Sequence, residues 1–101
     1  MWKKAATERM PYLVTTEHKG VFFGYGTKAD RQATTIDLED CRMCTYWSPD
    51  MRGVFGLATR GPDSRCKIGP AVSVHTLHDV TSIASVTEDA VKRWESEPWA
   101  L

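Results

Sequence analysis

Residues 11–26 constrain the fold most. Pro11 opens Tyr-Leu-Val-Thr-Thr-Glu, rich in β-branched and aromatic side chains, and His18-Lys19-Gly20 turns the chain into Val21-Phe-Phe-Gly-Tyr-Gly26. Runs of this kind suit a pleated surface, and the short turn between them predicts a β-hairpin. Gly24 and Gly26 weaken the second strand locally, which predicts a bulge or the close approach of another backbone there.

The remaining segments extend this pattern. Residues 1–10 are polar and without clear periodicity, and are expected to form an arm that stays flexible unless a partner subunit holds it. Residues 11–101 form a single β-rich domain. Residues 27–34 are polar and predict an exposed loop. Thr35-Ile-Asp-Leu38 alternates in polarity as a third strand, Glu39-Asp40 predicts a turn, and residues 41–47 predict a fourth strand. On that strand Cys41, Met43, Thr45 and Trp47 share one face while Arg42, Cys44 and Tyr46 share the other.

Ser48-Pro49-Asp50 carries three helix-start signals: a capping hydroxyl, a proline at the first helical position and an acid near the positive helix end. A short helix follows, with Val54, Phe55, Leu57 and Ala58 as its apolar stripe; Gly53 and Gly56 each cost it about 1 kcal/mol relative to alanine. Gly61-Pro-Asp-Ser64 predicts a loop. Cys66-Lys-Ile-Gly-Pro70 leads into residues 71–77, which with residues 80–86 read as strands and, with His78-Asp79 between them, as a second hairpin. Thr87-Glu-Asp89 starts a C-terminal helix whose inner side carries Ala90, Val91 and Trp94, and Pro98 ends it. Trp99 follows as a docking aromatic. The fold class expected is therefore α+β: an antiparallel sheet or small barrel of five to six strands, with one short central helix and one C-terminal helix.

Composition narrows the partners. Acidic and basic side chains balance at 13 each, so no global field draws the chain to nucleic acid or an anionic membrane, and nucleic-acid binding would need a local patch. No apolar run approaches the roughly 20 residues that span a bilayer. The first ten residues lack the apolar core of a secretory signal. The expectation is a cytoplasmic protein with no membrane partner. The three cysteines are an odd number, best read as thiols in a reducing compartment.

Candidate chemistry is sparse. Cys41-x-x-Cys44, with Cys66 and three histidines elsewhere, has zinc-like spacing, but residues three apart on a strand face opposite ways and do not share an ion without a bend. Small buried thiols are the plainer account. His75-x-x-His78 spans a strand end and a turn, where histidines are usually solvated. No nucleophile motif such as Gly-x-Ser-x-Gly occurs, and the Asp and Glu residues fall in turns and helix starts. The expectation is no enzyme, no catalytic residue, no bound metal and no cofactor. The binding candidates are Tyr46, Trp47, Arg52, Arg60 and Arg65: aromatics stack a base, while arginines and exposed helix N–H groups hold phosphate. The same residues equally make a core tryptophan, an interface tyrosine and a solvated arginine rim, or a protein-binding surface.

Gly20-Val-Phe-Phe-Gly24, Cys44-Thr-Tyr-Trp-Ser48, Arg52-Gly-Val-Phe-Gly-Leu-Ala58 and Gly61-Pro62 resemble a family of small proteins encoded by bacteriophages and prophages, a domain of unknown function. Cys66-Lys-Ile-Gly-Pro-Ala71, Leu77-His-Asp-Val-Thr-Ser82 and Trp94-Glu-Ser-Glu-Pro-Trp99 extend the resemblance over about residues 11–99. More loosely, the glycine-bearing hairpin followed by an arginine and aromatic strand is similar to ring-forming proteins like the tryptophan-dependent RNA-binding attenuation protein. The resemblance implies a phage setting, in the bacterial host cytoplasm, in which small proteins act by binding. The expected function is a homo-oligomeric binding protein that counters host antiviral defence by sequestering a nucleotide signal or occluding a host protein. The alternatives are an RNA- or DNA-binding ring and a structural or assembly protein of the phage.

Overall fold

The computed structural model describes residues 9–17, 20–47, 51 and 53–96. The strands are β1 (Met10–Thr16), β2 (Gly20–Gly26), β3 (Ile36–Tyr46), β4 (Lys67–Ile68), β5 (Val72–Leu77) and β6 (Val80–Ser85); the helices are α1 (Val54–Thr59) and α2 (Glu88–Ser96). They form one six-stranded antiparallel sheet and two helices, the β-rich α+β fold expected. Of the expected N-terminal arm, residues 1–8 lie outside the described residues. Met10 already belongs to β1.

The first hairpin forms as its sequence predicts, with β1 and β2 in unbroken register from Met10↔Gly26 to Thr16↔Gly20. β3 then lies beside β2, and Gly24 is the residue that permits it: a methyl group there would sit 2.8 Å from the Leu38 Cβ and 3.1 Å from the Glu39 carbonyl oxygen. The bulge expected near Gly24 is present. Pairing passes from Phe23↔Arg42 to Tyr25↔Glu39, so β3 accommodates one more residue than β2 over this step.

That extra residue corrects the expected turn at Glu39-Asp40. Asp40 adopts φ 50 and is absorbed as an irregularity inside one long strand, so the expected third and fourth strands are the two halves of β3. Aspartate tolerates the left-handed region better than most residues, which lets the chain swivel without reversing. The loop expected at 27–34 contains a 3-10 helix, Lys28–Gln32, started by the Asp30 carboxylate accepting from the Thr27 backbone N–H at 2.8 Å.

The expected second hairpin does not pair with itself. β5 pairs with β3, from Ile36↔Leu77 to Cys41↔Val72, while β6 pairs with β1 at the opposite side of the sheet. Only His78 and Asp79 join them, so the sheet has to curl until its two outer strands meet at that end. The Asp79 carbonyl accepts from Glu17 and the Val80 N–H donates to Thr34, each at 3.0 Å, which pins the junction.

Curling gives the sheet two cores. Strand alternation sends Tyr12, Val14 and Phe22 to one face, where they meet Ile36, Leu38, Cys41 and Leu77 inside the curl, with Val80 and Ile83 packed alongside. Leu13, Val21 and Phe23 face the other way, against Leu57 and Ala58 of α1 and Ala90 and Trp94 of α2. Within α1 the expected stripe is narrower than four residues. Leu57 and Ala58 are buried with Val54 beside them, whereas Phe55, a rotation of about 100° from Val54, is 74% exposed.

The expected helix start at residues 48–50, and Pro98 and Trp99, lie outside the described residues. α1 begins after Gly53, whose φ of 80 supplies the swivel. α2 begins as expected: the Thr87 hydroxyl accepts from the Ala90 N–H at 3.2 Å.

Candidate functional site

A cleft of about 450 Å³ opens between the two helices, lined by Met51, Thr59, Arg60, Asp63, Asp89, Lys92 and Arg93. Its walls are set by short-range chemistry. α1 ends at Arg60, and Gly61 at φ 83 returns its N–H to the Gly56 carbonyl at 3.3 Å, a left-handed helix stop. Gly61 then rests directly on α2, since a methyl group there would lie 2.9 Å from both the Ala90 Cα and the Arg93 Cβ. This contact brings Arg60 and Arg93 to the same opening.

Thr87 fastens the two helices. Its N–H donates to the Ala58 carbonyl at 3.0 Å and its hydroxyl donates to the Thr59 carbonyl at 2.8 Å, while the same oxygen caps α2. The last carbonyls of one helix are thus satisfied by the residue that caps the next. Trp94 adds a second tie, donating its indole N–H to the Leu57 carbonyl at 3.1 Å.

Arg60, Lys92 and Arg93 bring three cations to the cleft, and none of them is paired with a carboxylate among the described residues. Asp63 is engaged otherwise. It accepts from the Arg65 backbone N–H at 2.9 Å and faces the Arg65 guanidinium at 3.6 Å. The backbone N–H first, and that guanidinium with it, hold its carboxyl below the usual range.

The structure therefore divides the five expected binding residues. Arg60 lines the cleft, and Arg65 stands beside it through Asp63. Tyr46 ends β3 opposite Lys67 and is 47% exposed, and Trp47 packs partly buried on the helix-side core; neither lines the cleft. Arg52 lies outside the described residues. Lys92 and Arg93 were missed, although the C-terminal helix pattern signals them: with Ala90 and Trp94 inward, both fall on the outward side.

Arg42 was also missed as a structural clamp. It leaves the middle of β3 to donate from Nε to the Gly69 carbonyl and from Nη1 to the Trp94 carbonyl, both at 2.7 Å. Desolvation lowers its pKa, yet it holds the negative end of α2 against the link between β4 and β5.

The cysteines separate as strand geometry requires. Cys41 belongs to the core inside the curl and Cys44 to the helix-side core. Burial pushes the Cys41 thiol up to about 11 and the Cys44 thiol up to about 12. Among the described residues no group of three or more His, Cys, Asp and Glu gathers to hold a metal ion. His75 lies edge-on to Phe22 at 5.4 Å.

A second cleft, of about 460 Å³, lies over the end of β2 and the first half of β3 and reaches β5 at Val74; it is lined by Arg9, Tyr25, Gly26, Thr27, Asp30, Thr35, Asp37, Glu39 and Val74. Arg9 sits 4.1 Å above the Tyr25 ring and pairs with Glu39 at 3.5 Å and with Asp40. The Tyr25 hydroxyl donates to the Glu95 carboxylate, and desolvation, with that carboxylate, raises its pKa.

Fold and clefts together define a β-rich α+β domain with a cationic opening at its helices and an acidic groove over β2 and β3 that reaches β5 at Val74. Among the described residues no helix is long and apolar enough to cross a membrane. A domain of unknown function, DUF6948, matches residues 9–94, and the chain belongs to that family. Comparison with curated proteins and with solved structures gave no match in either.

Proposed function

We propose that this chain is a binding protein without chemistry of its own, which sequesters an anionic small molecule, a nucleotide signal, between α1 and α2. The observation that carries the reading is the convergence of Arg60, Lys92 and Arg93, unpaired with carboxylates among the described residues, on one cleft. Its size, about 450 Å³, falls within the range of small-molecule sites. Guanidinium forks bind phosphate oxygens bidentately, and Lys92 supplies a further charge. Asp89 on the wall supplies an acceptor for a hydroxyl or exocyclic amine.

The phage setting rests on the resemblance described above; there the signal would be one raised by host antiviral defence, and sequestration would silence it. A homo-oligomer is part of the same reading. An RNA- or DNA-binding ring and a structural protein of the phage are the competing outcomes.

Equilibrium dialysis against linear and cyclic nucleotides, followed by chromatography of the recovered ligand, tests the reading. Saturable binding of an intact nucleotide, weakened at least tenfold in Arg60→Ala/Lys92→Ala, is expected for the loss of two charge-assisted contacts. Chemical conversion of the ligand would show an enzyme. Binding of polynucleotides alone, falling steeply with salt, would favour the nucleic-acid ring. No binding of either kind would return the search to host proteins and to the particle.

A further inference from the structure

β5 is an outer strand of the sheet, and its edge is unguarded among the described residues. It pairs with β3 on one side, and among the described residues its other side pairs with nothing. All five residues from Val72 to Thr76 are exposed, with Val72 at 46% and Val74 at 56%. Proteins blunt such edges with lysine, proline or a bulge, because the unpaired N–H and C=O groups otherwise accept another strand. Val72-Ser-Val-His-Thr-Leu77 contains no lysine, arginine or proline.

The surface beside this edge is specific in its charge. Val74 is in register with Glu39 and Thr76 with Asp37, so two carboxylates stand in the row next to β5. Asp37 accepts from the Thr76 hydroxyl. Asp30, which accepts from the Thr27 N–H, joins them in the same groove; Arg9, the cation among the lining residues, pairs with Glu39 at 3.5 Å, so the three carboxylates outnumber it by two, and Tyr25 and Val74 give an apolar floor.

We propose that the free edge of β5 takes an extended segment of a partner protein as an added strand, with lysine or arginine at alternate positions. An added strand would lie about 4.8 Å beyond β5, with every second side chain on the groove side. From there a long cationic side chain reaches over Val74 or Thr76 toward Glu39, Asp37 and Asp30, its stem covering the exposed valine. Charge complementarity selects this occupant over a second copy of the chain. A second β5 would bring valine, serine, histidine and threonine, and no lysine or arginine to meet the carboxylates. The inference is independent of the cleft between the helices.

The test is amide hydrogen exchange and NMR titration of the full chain with a blocked peptide, Val-Lys-Thr-Lys-Val-Lys-Thr, and with its counterpart bearing glutamate for lysine. Slower exchange at residues 72–77 with the lysine peptide alone, weakening as salt rises, is the expected result. Asp37→Asn/Glu39→Gln should lower that affinity about fivefold, as expected for two exposed ion pairs reaching across β5. Val74→Lys, at an exposed position the fold tolerates, should weaken it as well. Unchanged exchange at 72–77, equal protection by the glutamate peptide, or concentration-dependent protection without peptide would each overturn the proposal; the last would make a second copy the occupant.

Discussion

The indole of Trp94 lies flat on the ring of Phe23, with centroids 5.1 Å apart and planes within 6°. Through this contact α2 is seated on the middle of the hairpin, and the indole N–H carries the tie on to α1 at Leu57. Trp94 is completely buried. Trp94→Ala should therefore cost about 3–5 kcal/mol, a large share of the stability of a domain this size. Trp94→Phe should cost less, through the smaller volume and the unpaired Leu57 carbonyl. Urea denaturation of the wild type and the two variants measures the differences, and a Trp94→Phe midpoint equal to that of the wild type would refute the role of the indole N–H.

Thr87 joins the helices from one position, donating to Ala58 and Thr59 and accepting from Ala90. Thr87→Ala should cost about 1–2 kcal/mol, the range of a lost N-cap, and Thr87→Ser should restore most of it. Because Thr59 and Arg60 line the cleft, the alanine variant should also loosen that opening. Faster amide exchange at Arg60 and Gly61 would report this.

Two glycines of the α1 region differ in what they forbid. A methyl group at Gly56 would lie 1.4 Å from the Met51 carbonyl oxygen, whereas at Gly53 it would meet nothing within 4 Å. Gly56→Ala should abolish folding or shift α1 bodily. Gly53→Ala should cost about 1–2 kcal/mol, through the left-handed φ of 80 alone. Thermal melts separate them, and comparable melting temperatures would contradict the close approach at Gly56.

Buried thiols give the molecule an alkaline limit. Cys41 and Cys44 have pKa values raised from 9.0 to about 11 and about 12. In each case the native state holds the proton that the unfolded chain releases. Their contribution is thus complete below about pH 9 and is lost as pH rises through 11 and 12. Tyr25 and Tyr12, both raised by burial, act in the same direction. Urea midpoints should be level near neutrality and fall above pH 9. At pH 8 the native Cys41 and Cys44 should resist iodoacetamide and react on unfolding.

Much of the local structure was legible because its causes lie within a few residues. The β1–β2 hairpin, the Thr87 cap, the close approach at Gly24 and the opposed faces of Cys41 and Cys44 follow from propensity, capping chemistry and the period of two. Arg60 was legible as a cation near a helix end. Its companions Lys92 and Arg93 lie more than thirty residues further along, and only packing of Gly61 on α2 brings them together.

Sequence by itself determined the kind of element at most positions, the two faces of each strand and the β-rich α+β class. Tertiary structure decided which strands pair. Residues 66–86 carry hairpin-like signals, yet β5 completes β3 and β6 completes β1. Leu77 is buried, and Val80 and Ile83 pack against the same core, only when the sheet curls and both strands find partners. Asp40 likewise reads as a turn, but as an extra residue within β3 it lets Leu38 and Cys41 both enter the inner core. Turn propensity is a matter of a kilocalorie or less, whereas these pairings bury whole apolar faces, and burial of that size prevails.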